Sequence, residues 1–255
     1  MIYLEKLKVI YKPFPHLVFS DAIDDQIYKE ICEDFDIDKK YFTKQPIEDK
    51  LTKKFKMEKY TLSIKDGKIL PVYFSKRNNL KKFLKYLLSK QFQLELKKKF
   101  LENNIDLGCN FEQNDLSFFK KIKNILKPRQ SFYDEIELSG IPLNGGYINP
   151  HTDGPNKLFT LIIPIVNDIS EFNLASNYST DILENLDAKD SYNYANRLIP
   201  KNKTKIINQI KFEKKQILCL IKTHNSLHSV GPINYSGSDQ AYRRSINFFK
   251  CKNIY

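Results

Sequence analysis

A chain of 255 residues, 41% hydrophobic with 18 Phe and 15 Tyr, can bury a substantial core, and this composition excludes a disordered chain. The net charge of +12 permits an acidic partner, but the lysines read as solvated faces without arginine–aromatic interleaving, so nucleic acid is the weaker reading. The opening MIYLEKLKVIYKPF is charged where a signal peptide is apolar, and no uninterrupted apolar stretch can span a bilayer; a soluble cytoplasmic protein is expected.

In chain order, a short strand is expected at Leu17 to Phe19, then a helix from about Asp21 to Phe35. Ser20 or Asp21 offers its N-cap, and Ile23, Ile27, Ile31 and Phe35 form one apolar stripe. Residues 36–77 are lysine-rich, with a hairpin expected at IKDGKI, where Asp66-Gly67 suits the turn. Leu80 to Leu101 carries the longest helical pattern, with Phe83, Leu84, Leu87, Leu88, Phe92, Leu96 and Phe100 spaced by three and four. Cys32, Cys109, Cys219 and Cys251 are dispersed and form no C-x-x-C pair, as suits reduced, structural thiols.

From about Phe132 the pattern changes to short β-rich runs: FYDEIELSGI, GGYINP, KLFTLIIPIV, TKIINQIKF, QILCLIKT and RRSINFFKC. Turn residues separate them at LNGG, DGPN, EKKQ and YSGSD. Many short strands without long intervening helices predict an antiparallel sandwich or barrel rather than a βαβ fold. The polar segment 168–202, with helical potential around DILENLDAKDSYNYANRL, reads as an insertion between two strands. The expected organisation is α+β with a mainly β core and a single domain. Residues 1–130 form its helix-rich part, and residues 131–255 its β core with the insertion 168–202.

Three of the four histidines, His151, His224 and His228, lie in the β-rich half. A site for non-haem Fe(II) uses two imidazoles and one carboxylate and leaves open positions for substrate and oxygen. The pair His151 and Asp153, two apart at a strand end, can supply two ligands from one side. The third must come from a strand distant in sequence; His228, after QILCLIK, fits, with His224 as its rival by proximity. Soon afterwards YRRSINFF brings two arginines to a strand start. Their permanent charge and paired N–H donors suit a dicarboxylate co-substrate.

Together, H-T-D at 151–153, H-S-V-x-P at 228–232 and R-x-S at 243–245 resemble the 2-oxoglutarate and Fe(II)-dependent oxygenase superfamily. KPFPHLVFSDAIDDQIYKEICEDF resembles the opening strand and helix of its prolyl-hydroxylase-like branch, and PHTDGPNKLFTLIIPIVN its metal-binding strand and the next. Residues 36–130 are unmatched, and NDISEFNLASNYST replaces a Gly-Gly-x-Thr-like segment found in many relatives.

The resemblance implies a double-stranded β-helix (jelly roll) with N-terminal and central helices packed on one sheet. It implies His151, Asp153 and His228 as catalytic iron ligands and Arg243 as the binder of the far carboxylate of 2-oxoglutarate. Arg243 is preferred to Arg244 because the family's arginine stands two before a small or hydroxyl residue, here Ser245, and alternation turns Arg244 away. Tyr147 and Ser245 are further candidates for the co-substrate pocket. The cofactors implied are Fe(II), 2-oxoglutarate and O2, with ascorbate as a candidate reductant.

The expected reaction is hydroxylation (or a related desaturation or demethylation) of a small metabolite, sugar or protein side chain, releasing succinate and CO2. An aspartate at 153, rather than a small residue, disfavours halogenation. Two alternatives stand beside this. A nucleic-acid demethylase on the same fold typically carries a second arginine six residues after the first, where this chain has Phe249 and then Lys250. A non-redox, cupin-like binding module explains the histidines but gives Arg243 no task.

Overall fold

Strand alternation decides which side chains meet the helices and which meet the site. The computed structural model describes residues 2–48, 56–65, 71–107, 132–166, 175–187, 192–193, 195–237 and 241–253. The first half contributes β1 (Leu7–Ile10), β2 (His16–Phe19), α1 (Asp25–Asp34), β3 (Thr43–Glu48), β4 (Lys56–Lys65), α2 (Asn78–Leu87) and α3 (Lys90–Glu102). Next come β5 (Phe132–Pro142), β6 (Ile148–His151), β7 (Lys157–Ile165), β8 (Ala175–Ser176) and β9 (Thr180–Asn185). The chain closes with β10 (Thr204–Ile210), β11 (Ile217–Ile221), β12 (His228–Val230), β13 (Asn234–Tyr235) and β14 (Tyr242–Lys252).

Among the described residues an eight-stranded sheet runs β1-β2-β11-β7-β14-β5-β4-β3, a four-stranded sheet β10-β9-β12-β6, and β13 pairs with β8. Every pairing is antiparallel. The period of two then splits each strand of the large sheet. Phe159, Leu161 and Ile163 of β7 and Ile246 and Phe248 of β14 join the helices' Ile31, Leu84, Phe92 and Phe100 in one core. The opposite face packs on the small sheet, where Leu218, Leu220 and Ile162 meet Ile182 and Ile210. The helices therefore lie on one side of the large sheet, and the polar residues of its other side are enclosed.

Several expectations change. The first helix starts at Asp25, capped by Asp24, whose carboxylate accepts from the backbone N–H groups of Gln26 and Ile27 at 3.0 and 3.2 Å. Asp21 has a positive φ of 52° and pairs with Lys6 and Lys215 instead. The single helix expected over Leu80 to Leu101 is two: α2 ends at Leu87, and Ser89 caps α3 by accepting from the Phe92 N–H. The break lets both apolar faces reach the core, since Leu84, Leu87, Phe92, Leu96 and Phe100 are all buried.

Residues 1–130 are less purely helical than expected, because β1 to β4 extend the large sheet at both ends. The turn expected at Asp66-Gly67 lies outside the described residues; β4 pairs with β3 before it and β5 after it. The segment 168–202, expected as an insertion between two strands, contributes to the small sheet. It holds β9, a strand of the small sheet, where helix was expected from Asp181 onward.

Cys32, Cys219 and Cys251 are buried free thiols, and Cys109 lies outside the described residues. No helix among the described residues is long and apolar enough to cross a membrane.

Phe248 is fully buried, with ring centroids 6.4 Å from Phe92 and 6.0 Å from Phe159. Phe248→Ala should lower the unfolding free energy by about 3–5 kcal/mol. Ser89→Ala, removing only a cap, should lower it by about 1 kcal/mol. Urea unfolding of both variants checks this, and near-equal losses would contradict the packing of helices on this face.

Candidate active site

The site is assembled from loops and strands of both sheets. β6 ends at His151, and the following turn carries Asp153. β12 pairs antiparallel with β6 in a register that sets His228 opposite His151. The chain turns immediately after β12 at Gly231, whose φ of 66° and whose closeness to the Gly146 carbonyl leave no room for a Cβ. One ligand atom from each of His151, Asp153 and His228 lies within 4.8 Å of the others, and the imidazole centroids are 4.4 Å apart.

Both rings are oriented by main chain. The Nδ1 of His151 is 2.9 Å from the Asn149 carbonyl, and the Nδ1 of His228 is 3.0 Å from the Ser226 carbonyl. A carbonyl only accepts, so each Nδ1 carries the proton and each Nε2 keeps its lone pair. Burial and the neighbouring His228 push the pKa of His151 down to about 3. Burial likewise lowers that of His228, against the pull of Asp153. Both imidazoles are therefore neutral at physiological pH, as metal ligation requires.

Asp153 is held at both oxygens. Its Oδ1 accepts from Lys157 Nζ at 2.8 Å and its Oδ2 from Thr160 Oγ1 at 2.6 Å. Burial opposes its ionisation, but Lys157 and the two imidazoles outweigh it and hold the carboxyl well below the usual carboxylate range. Two neutral nitrogens and one carboxylate on one side of a cavity fit a divalent metal with open coordination positions.

Arg243, 3% exposed, projects from the start of β14 into the same cavity. Its Nε donates to the Tyr178 carbonyl at 2.7 Å and its NH2 to Thr180 Oγ1 at 2.9 Å, while the guanidinium lies 3.9 Å from the Phe212 ring centroid. Burial lowers its pKa to about 9, against the charge of Asp181, so it remains a cation at neutral pH. Arg244 points to the opposite face and donates to the Phe35 carbonyl at 3.4 Å. Ser245 lines the cavity beside Arg243. Tyr147 is buried just before β6 and is not among the lining residues, whereas the next residue, Ile148, is. His224 lies apart from the triad and stacks on Tyr192, with centroids 5.2 Å apart.

Among the wall residues that the sequence reading did not single out are Thr180, Lys157 and Lys59, with Glu137 behind Lys59. Thr180 lies within the stretch NDISEFNLASNYST, where polar residues hide the start of β9. Lys157, four after Asp153 at the start of β7, was the more legible. Glu137 on β5 finds its partners only across strands: Lys59 Nζ donates to Oε1 at 2.6 Å, and Asn247 Nδ2 donates to the same oxygen at 3.1 Å. Burial raises the pKa of Glu137, but Lys59, Lys157 and Asn247 outweigh it and leave it below the ordinary value of 4.5.

A carboxyl whose pKa is lower in the folded state adds stability above its unfolded value and loses it as pH falls through the folded one. Glu137→Gln strands the Lys59 charge and should cost about 3 kcal/mol at pH 7. The gap from the wild type should narrow as pH falls below 4.5. Urea unfolding at pH 7 and at acid pH checks this; a gap that does not change with pH would contradict an ionised Glu137.

No family model matches the sequence, and no curated protein matches it either. Solved structures do. A prolyl hydroxylase from Trichoplax adhaerens, in complex with a hypoxia inducible factor oxygen degradation domain peptide fragment, aligns with a TM-score of 0.51 at 10% identity, covering 92% of this chain and 83% of that one. A Pseudomonas putida prolyl-4-hydroxylase aligns at a TM-score of 0.48 and 8% identity, covering 93% and 92%. A putative 2OG-Fe(II) oxygenase family protein from Caulobacter crescentus aligns at 0.49 and 13%, covering 93% and 77%. The mostly β architecture with its antiparallel sheets and three described helices is a prolyl-hydroxylase-like fold of the 2-oxoglutarate/Fe(II) oxygenase type.

Proposed function

We propose that this protein is an Fe(II)- and 2-oxoglutarate-dependent dioxygenase that hydroxylates its substrate with release of succinate and CO2. The observation that carries this reading is the cluster of His151, Asp153 and His228 in one cavity with Arg243. The strand orders of the two main sheets support a double-stranded β-helix, and the shared core of helices and large sheet supports a single domain.

In this reading the Nε2 atoms of His151 and His228 and a carboxylate oxygen of Asp153 hold the metal. The metal, when bound, supplies the centre at which O2 is activated. Thr160 and Lys157 fix the carboxylate, and the Asn149 and Ser226 carbonyls fix the two rings, so the ligand set is oriented before metal arrives. Arg243 receives the distal carboxylate of 2-oxoglutarate, with Thr180 and Ser245 as neighbouring hydroxyl groups. The tyrosyl carbonyl at 178 and the Phe212 ring hold the guanidinium in place. Isoleucines 141, 148 and 162 and Val230 wall the cavity and exclude water from the reacting groups. The peptide complex of the Trichoplax adhaerens enzyme supports a protein side chain as one substrate class, beside a small metabolite or sugar.

The test is Fe(II)-dependent succinate formation from 2-oxoglutarate, stimulated by candidate substrates. His151→Ala and Asp153→Ala should abolish it, and full activity in either would sink the proposal. Arg243→Lys should raise the KM for 2-oxoglutarate about tenfold or more, equivalent to about 1.4 kcal/mol of binding. Arg244→Lys should leave that KM unchanged.

A further inference from the structure

Two cations of the cavity, each paired with a carboxylate of the protein, keep N–H donors to which the reading above gives no task. Lys157 and Lys59 both line it. Lys157 Nζ is 2.8 Å from Asp153 Oδ1 and 3.6 Å from the Phe249 ring centroid, and Lys59 Nζ is 2.6 Å from Glu137 Oε1. An ammonium has three N–H donors, more than these contacts use. Their side chains are 21% and 18% exposed, so both lysines are open to a molecule entering the cavity.

Position separates the two kinds of cation. Arg243 stands at the start of the inward face of β14; Lys157 covers Phe249 at the other end of that face. The six residue steps of extended strand from Arg243 to Phe249 span about 20 Å of backbone. With one carboxylate of 2-oxoglutarate at Arg243 and the other at the metal, both ends of the co-substrate are engaged, and the N–H donors of Lys157 not given to Asp153 are left for another molecule.

Charge points the same way. The charged groups in and directly behind the cavity are Lys59, Lys157, Lys222 and Arg243 against Asp153, Glu137 and Asp181, and imidazoles that ligate a metal are neutral. A divalent metal and a dianionic co-substrate cancel each other and leave this excess of one positive charge. Lys222 Nζ donates to Thr152 Oγ1 at 2.9 Å, next to Asp153 in the chain. Once Asp153 serves a metal, Lys157 shares its counter-ion with a dication, and a further anion is favoured beside it.

We propose that Lys157 anchors an anionic oxygen group of the primary substrate, a carboxylate or phosphate, with Lys59 as a second cation and Phe249 as a flat apolar wall. This rests on the oxygenase reading and narrows it to substrates that carry such a group close to the oxidised C–H bond.

The probes are acetate and methyl phosphate, titrated under argon into full-length protein loaded with Mn(II) and saturated with 2-oxoglutarate. Broadening of their NMR signals by Mn(II) reports an anion held beside the metal. Saturable broadening is expected for the wild type. It should weaken about tenfold in Lys157→Met and persist in Lys157→Arg. Broadening by acetate alone assigns a carboxylate, and by methyl phosphate alone a phosphate. Absence of saturable broadening in the wild type overturns the proposal, and so does equal broadening in Lys157→Met, which would put the anion on the metal itself. If Lys157→Met fails to fold or to hold Mn(II), Lys59→Met decides. A loss of about threefold, as suits a partly exposed charge, supports the proposal, and no loss overturns it. Failure of the wild type to bind 2-oxoglutarate with Mn(II) would instead overturn the oxygenase reading.

Discussion

The antiparallel pairing of β12 with β6 is the constraint on which the candidate site depends. It sets His228 opposite His151, although the two are far apart in sequence, and residues so opposed have Cβ atoms about 5 Å apart. A slip of one residue would turn one imidazole to the other face of the sheet and dissolve the site. The small sheet holds this register from both sides: β9 pairs with β12, and the Ile199 N–H donates to the Pro150 carbonyl next to His151. Two neutral imidazoles packed this closely are tolerated because each Nδ1 is satisfied by a carbonyl of its own segment.

The large sheet supplies the rest of the cavity, and it does so by carrying two surfaces at once. Its helix-facing side is phenylalanine, leucine and isoleucine, while its inward side bears Lys59, Glu137, Ser139, Lys157, Thr160, Arg243, Ser245 and Asn247. Polar groups at such depth persist only when partnered. Here Asn247 donates to Glu137 and accepts from Ser245, Lys59 pairs with Glu137, and Lys157 pairs with Asp153. The result is a polar floor under an apolar wall, suited to orienting small charged molecules beside a metal.

Much of this was legible in the chain. The strands β5, β7, β11 and β14 alternate or run apolar between clear turn residues, and each formed close to where its pattern placed it. The pairing of His151 with Asp153 could be read because both lie within one turn, and Arg243 was preferred to Arg244 because it stands two before Ser245, as the arginine of the resembled family does, with alternation turning Arg244 away. Other parts were hidden for identifiable reasons. The break at Ser89 interrupts a stripe whose spacing continues on both sides, so periodicity alone joins α2 to α3. β9, Thr180–Asn185, mixes polar and apolar residues with helix formers around it, and its strand character comes from pairing with β10 and β12. The partners of Glu137 were hidden because Lys59 and Asn247 reach it from neighbouring strands.

The sequence by itself determined the chemistry of the parts. It supplied an imidazole and a carboxylate two residues apart, a second histidine after a strand, an arginine on the inward parity, and enough aromatic residues to build a helix-covered sheet. Those are local properties, set by residue type and a period of two. Only the tertiary structure set His228 opposite His151, placed Thr180 and Phe212 around Arg243, and brought Lys59 and Lys157 to the same cavity with Glu137 behind Lys59. Such contacts depend on the register between strands distant in the chain, and register is fixed by the packing of the whole sandwich rather than by any one segment.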